Sequence, residues 1–243
     1  MKRIVLIGGT GAAQLVPPEN TIINIGSTPH GKPSSPILEW QTGDLNFLYI
    51  ARHGPDGTIP PHLVNYKANL WIARELQPDC VIGLNAVGGI AKVAHPARLI
   101  FPDQLIDYTW GREHTFADVI GESVKHIDFT EPLSGELRRR LAKMSDRLSL
   151  DFIDGGTCGV TQGPRLETAA EIDRLEKDGC HIVGMTALPE AALARELELD
   201  YVICAIVVNW AAGRGLAGTD IHTQIQQHVA DGMSQVERLL VEL

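Results

Sequence analysis

Gly163-Pro164-Arg165-Leu166-Glu167-Thr168-Ala169-Ala170-Glu171 passes from two chain breakers into good helix formers, and residues 167–178 read as a helix. Two further blocks follow at intervals of roughly twenty residues: Gly184-Met185-Thr186 and Val208-Asn209-Trp210-Ala211-Ala212-Gly213. Each of the three sits beside a short apolar run of the kind that makes a buried strand. The same alternation extends along the chain. Apolar runs at 4–7, 47–50, 80–84, 97–101, 182–183 and 201–208 are bounded by Gly or polar residues and suit strands covered on both faces. Between them 65–75, 134–144, 167–178, 190–196 and 224–241 read as helices, with Pro189 acceptable in a first helical turn. Strands alternating with helices predict the α/β class: one domain over residues 1–243, a mixed β-sheet flanked by helices. The turn formers and breakers crowded into 28–36 mark a loop, and the glycine-rich 213–219 reads as a mobile one.

A chain of 243 residues with 44% hydrophobic content can bury one sizeable core. Its formal charge of −9 argues against general binding to nucleic acid or an anionic membrane, which needs a basic face. A small phosphate site is compatible with that charge, because a few local donors override the net field. Cys80, Cys158, Cys180 and Cys204 are widely spaced, with no CxxC, and read as buried free thiols rather than disulfides or zinc ligands. The start Met1-Lys2-Arg3 precedes too short an apolar run for a signal peptide, and no run reaches transmembrane length. A cytoplasmic location is expected.

Several residues carry chemistry. Gly8-Gly9-Thr10-Gly11 follows the first strand; its N–H groups and the Thr10 hydroxyl can cradle an anion. Alone, the same residues make an ordinary tight strand-to-helix turn. The dinucleotide fingerprint does not fit, since Gln14 stands where its last glycine belongs. Arg52-His53 ends the second long run, offering a planar donor fork and a second donor to an anion, or a surface ion pair. Glu167, Met185, Thr186 and Asn209 add a carboxylate, a thioether, a hydroxyl and a carboxamide. A purine nucleoside calls for that mixture: an acceptor for a ring N–H, an apolar surface under the sugar, and donors to an anion and to the departing base.

From Gly8 to about Gly213 the chain resembles the trimeric purine nucleoside phosphorylase and methylthioadenosine phosphorylase family. The resemblance implies a nucleoside phosphorylase-like fold and a homotrimer, with no metal or organic cofactor and inorganic phosphate as co-substrate. It implies phosphate binding by Thr10, Arg52, His53, Asn85, Ala86 and Thr186. Met185 matches a methionine under the ribose, and His126 resembles a histidine that reaches the neighbouring subunit's ribose; its bland reading is a surface loop residue. One departure concerns a further histidine that methylthioadenosine phosphorylases often carry after the Arg-His pair. Gly57 occupies that region here, and His62 comes later.

Base choice follows from donor–acceptor matching. A carboxylate accepts the N1–H of a 6-oxopurine but repels the N1 lone pair of adenine. Glu167 resembles the glutamate, and Asn209 the asparagine, of the 6-oxopurine phosphorylases. Adenine-selective relatives carry aspartates at the positions of Asn209 and Ala211, and a small polar residue in place of Glu167. Leu166 replaces a common aromatic, and Trp210 lies in the same base-site block. At the 5′ end of the sugar the resemblance places residues 220–225, where Ile221 and Ile225 favour a methylthio group and His222 a hydroxyl. A 6-oxopurine base site in a chain closest to the methylthioadenosine branch points to S-methyl-5′-thioinosine, with Asn209, Glu167 and His53 as the catalytic set. A general inosine/guanosine phosphorylase, a methylthioadenosine phosphorylase and a non-catalytic nucleoside-binding protein remain open alternatives.

Overall fold

The first apolar run becomes strand β1 (Lys2–Gly8), whose side chains alternate into two cores, Val5 and Ile7 on one face and Ile4 and Leu6 on the other. Such double burial is why the run is continuously apolar. The computed structural model describes residues 1–117, 124–215 and 221–243, with the backbone alone at 222 and 224. After β1 come β2 (Thr21–Ile23), β3 (Ile37–Thr42), β4 (Leu45–Ala51), α1 (Tyr66–Glu75) and β5 (Cys80–Gly89). Then follow β6 (Leu99–Phe101), β7 (Gln104–Asp107), α2 (Gly135–Arg147), β8 (Phe152–Asp154), β9 (Thr157–Val160) and α3 (Ala169–Lys177). The chain closes with β10 (Ile182–Gly184), α4 (Ala187–Glu196), β11 (Tyr201–Trp210) and α5 (Ile221–Leu240). All these strands join one mixed sheet. Leu70, Ala191 and Leu193, from α1 and α4, pack on one face; Leu137, Leu141, Met233 and Val236, from α2 and α5, pack on the other. Ile172 and Leu175 of α3 close a smaller cluster against Val183 of β10.

Every strand and helix expected from the sequence is present, with ends shifted by a few residues. β5 is the main extension: it continues past Leu84 through Asn85-Ala86-Val87-Gly88 to Gly89. The strands β2, β3, β7, β8 and β9 were not expected. Most are three or four residues long, and all but β9 are exposed or half-exposed along much of their length, so they carry no long apolar run. Helix starts follow local chemistry. Asn65 and Ser134 cap α1 and α2 by accepting backbone N–H groups, and Thr168 with Glu171 forms a reciprocal capping box on α3.

The long strand β5 positions the site. Along one side it pairs in parallel with β11 over its whole length. Along the other side it pairs with β1 only from Cys80 to Leu84, and then with antiparallel β10 at Gly88 and Gly89. Between those partners, at residues 85–87, the two neighbours approach from opposite directions and end. Gly9-Thr10 leaves from β1, and Met185-Thr186 leaves from β10. A gap in the ladder of a buried strand is a natural place for a ligand to meet backbone and side chains together.

Candidate active site

The gap opens into a cavity of about 450 Å³. Part of it is lined by Gly9, Thr10, Arg52, His53, Ala86 and Thr186, the residues expected at an anion apart from Asn85. Arg52 is fully buried and makes a two-point pair with Glu190, Nε to Oε2 and Nη2 to Oε1, both at 2.7 Å. It also donates to the carbonyls of Ile7 and Leu84, each at 3.0 Å. The fork expected to face phosphate is therefore mostly spent inside the protein. One Nη1 hydrogen has no partner among the described residues. Gly9 leaves room for it: a Cβ there would lie 3.0 Å from Arg52 Nη1 and 3.3 Å from the Leu84 carbonyl oxygen.

Arg52 also sets the direction of a short relay. A shared Nη2 hydrogen reaches Asn85 Oδ1 at 3.3 Å, which orients the amide so that Asn85 Nδ2 donates to Thr186 Oγ1 at 2.9 Å. The Thr186 hydroxyl oxygen accepts from Asn85, and its own hydrogen has no acceptor among the described residues, so it is left for the cavity. Asn85 is buried behind the cavity wall and acts through Thr186 rather than lining the space itself.

His53 departs from the role read from sequence. Its Nδ1 lies 2.8 Å from the carbonyl oxygen of Ile59, which can only accept, so Nδ1 carries the hydrogen. Burial first, and the neighbouring Arg52 cation second, lower the imidazole's pKa. The neutral ring thus offers Nε2 as an acceptor, where the sequence reading assigned a donor. Gly57 lines the cavity and His62 does not; His62 is exposed.

The rest of the lining includes Met185, Leu166, Glu167, Val208, Asn209 and Ala211, together with Ile221 and Ile225 of α5. Met185 is seated by Gly163, where a Cβ would lie 2.5 Å from the Met185 sulfur and where φ is +60°. The Gly of the first block therefore lets the Met of the second lie against it, and its positive φ favours glycine there in any case. Glu167 is half-buried and accepts a hydrogen bond from Thr161 Oγ1 at 2.6 Å. A register shift between Val207 and Asn209 in the β5–β11 ladder places both Val208 and Asn209 on the cavity wall. Asn209 Nδ2 donates to the Trp210 carbonyl at 2.7 Å, which anchors the amide through one N–H and leaves the second. Trp210, expected in the site, does not line it: alternation after the bulge turns its ring away to pack beside Gly215.

Two expected residues are not brought in. His126 is exposed on a segment held to Glu198 through Lys125, away from its own chain's cavity. The His222 side chain, and most of 213–219, lie outside the described residues. Sequence reasoning missed Glu190 and Tyr201, which donates its hydroxyl to Glu190 Oε1 at 2.7 Å. One signal was present: a carboxylate in the otherwise apolar helix face of Ala187, Leu188, Ala191 and Ala194. The four cysteines are free and buried as expected. Burial pushes the thiols of Cys158 and Cys204 up to about 12, which makes them inert.

Residues 3–243 match the family described as the phosphorylase superfamily. The chain belongs to that superfamily. Over 237 residues it is 44% identical to a probable S-methyl-5′-thioinosine phosphorylase of Xylella fastidiosa, covering 98% of this chain and 96% of that one. It is 38% identical to a 6-oxopurine nucleoside phosphorylase of Pyrococcus furiosus, over 99% of this chain and 91% of the other. Among solved structures it resembles methylthioadenosine phosphorylase from Schistosoma mansoni in complex with adenine. That likeness has a TM-score of 0.90 and 28% identity, covering all of this chain and 90% of the other. The superfamily fold therefore extends over the whole chain, as the resemblance read from Gly8 to Gly213 implied.

Proposed function

We propose that the protein uses inorganic phosphate to cleave the glycosidic bond of S-methyl-5′-thioinosine, giving hypoxanthine and 5-methylthioribose 1-phosphate. The observation that carries the reading is a base end bearing Glu167, Asn209 and the uncharged Ala211 on a cavity whose sugar end is lined by Met185, Ile221 and Ile225. The carboxylate suits a ring N–H, the second Asn209 N–H suits N7 or O6, and the isoleucines suit a methylthio group. A phosphate oxygen attacks C1′ as the C1′–N9 bond breaks, and the bonding pair leaves with the purine. Thr10, Thr186, His53 and the free Nη1 hydrogen of Arg52 orient the nucleophile, and positioning supplies a large share of such catalysis. Asn209 contributes in so far as its hydrogen bond strengthens while charge develops on the base. The reading calls for no metal or organic cofactor.

The likeness to a probable S-methyl-5′-thioinosine phosphorylase supports this assignment. The second reading, a general inosine/guanosine phosphorylase, is supported by the likeness to a 6-oxopurine nucleoside phosphorylase and differs only at the 5′ position. One assay separates them: release of free base from methylthioinosine, methylthioadenosine, inosine and adenosine, with and without phosphate. Preference for methylthioinosine in phosphate alone supports the proposal. Equal turnover without phosphate indicates hydrolysis, and binding without release indicates a nucleoside-binding protein.

A cytoplasmic homotrimer is part of the same proposal. The exposure of His126, remote from its own cavity, supports a role across a subunit interface. Light scattering at three times the 26.4 kDa chain mass is the expected result, and a fully active particle of one chain mass refutes it.

A further inference from the structure

We propose that Thr161 is a positioning residue for base selection, holding Glu167 as an oriented, charged acceptor for the N1–H of a 6-oxopurine. The inference rests on the 6-oxopurine reading above. Thr161 follows β9 by one residue, and its backbone N–H donates to the Gly184 carbonyl at 2.9 Å, prolonging the ladder to β10. Its own carbonyl accepts from Arg112 Nη2 at 3.2 Å, and the Gln162 carbonyl accepts from the same nitrogen at 2.8 Å. Arg112 is itself buried and tied through Nη1 to the carbonyls of Met185 and Leu188. The Thr161 backbone is thus gripped from both sides, and a β-branched side chain on a fixed backbone has few directions to point.

The hydroxyl points at Glu167. It has one hydrogen and two acceptors in reach: Glu167 Oε1 at 2.6 Å and the Gly184 carbonyl at 3.4 Å. The second is too long to compete and already receives the Thr161 N–H. The 2.6 Å separation is that of a hydroxyl donating to a carboxylate. Oε2 has no hydrogen-bond partner among the described residues, and Glu167 lines the cavity. One oxygen is therefore held and the other is presented. Adenine, whose N1 is an acceptor, offers no hydrogen to the presented oxygen, so fixing that oxygen in place favours hypoxanthine.

The test compares wild type, Thr161→Val and Thr161→Ser for kcat/KM on methylthioinosine and methylthioadenosine, and for the KM of phosphate. Val keeps the shape and removes the donor. The expected result is an about tenfold fall in the methylthioinosine preference of Thr161→Val, the worth of one charge-assisted hydrogen bond. Phosphate KM should be unchanged, and Thr161→Ser should restore the preference. An unchanged preference in Thr161→Val overturns the inference, as does an equal loss on both substrates. Thr161→Ala carries the same expectation should Val fail to fold. Wild type preferring methylthioadenosine overturns the functional reading and this inference together; wild-type preference for methylthioinosine with an insensitive variant overturns only the inference.

Discussion

Arg52 and Glu190, 138 residues apart in sequence, form a two-point ion pair at 2.7 Å with neither side chain exposed. Burial alone would pull the guanidinium's pKa down, but the Glu190 carboxylate outweighs it and the net shift is upward. Removing one partner of such a pair leaves an uncompensated buried charge and costs about 3–5 kcal/mol. Glu190→Gln should therefore lose about 3 kcal/mol in urea unfolding and raise the KM for phosphate, because Arg52 then loses the anchor that orients Asn85. A loss under about 1 kcal/mol would contradict the pair's structural role.

Phosphate should bind far better than sulfate near neutral pH. His53 Nδ1 is committed to Ile59, so the neutral ring needs a proton from the anion at Nε2, and sulfate has none to give. The sign follows from the downward shift of the imidazole: the acceptor form persists below the ordinary histidine pKa of about 6.5. As pH falls through the lowered value, Nε2 gains a hydrogen and sulfate should gain on phosphate. Thermal-shift titrations with both anions at several pH values read this directly. Equal protection at neutral pH would mean that His53 donates.

Base choice should move with three residues. Asn209→Asp with Ala211→Asp should weaken methylthioinosine cleavage, since an aspartate must first bind a proton before it can donate. Adding Glu167→Ser should let adenine compete. Each charged hydrogen bond is worth roughly 1.5–3 kcal/mol, so relative kcat/KM should shift by orders of magnitude. An unchanged ratio in the triple variant would show that the base sits elsewhere.

Gly163→Ala should damage nucleoside binding while sparing phosphate. The added methyl meets Met185 Sδ at 2.5 Å, and alanine at φ +60° is strained by about 1–3 kcal/mol. The expected kinetic signature is a raised nucleoside KM with little change in phosphate KM. Met185→Ala combined with Gly163→Ala should be less than additive in stability, because the clash disappears with the thioether.

The legible parts of the site were those in which one short segment carries both the chemistry and its turn. Thr10 sits in a glycine turn, Arg52-His53 at a strand end, and Glu167, Met185 and Asn209 each beside an apolar run. These segments stood out because strand ends and helix starts announce themselves locally, and the family resemblance gave them their roles. Trp210 was misplaced because a bulge, invisible in the sequence pattern, changes which neighbour of Asn209 faces the cavity. His53 was read as a donor because the turn residues Gly54-Pro55-Asp56-Gly57 mark a loop without showing that it returns the Ile59 carbonyl to Nδ1.

By itself the sequence determined the alternation of strands and helices, the caps that start α1, α2 and α3, and the residue types available at the base and anion ends. Those properties depend on periodicity and on neighbours a few positions away. Only the tertiary structure decided that β5 would be shared between β1 and antiparallel β10, leaving the opening where Thr10 and Thr186 meet. It alone brought Glu190 to Arg52, Thr161 to Glu167 and Arg112 to four backbone carbonyls. The physical reason is that a buried charge or hydroxyl must be satisfied by whatever the folded chain places beside it, and that neighbour is fixed by sheet order rather than by position along the chain.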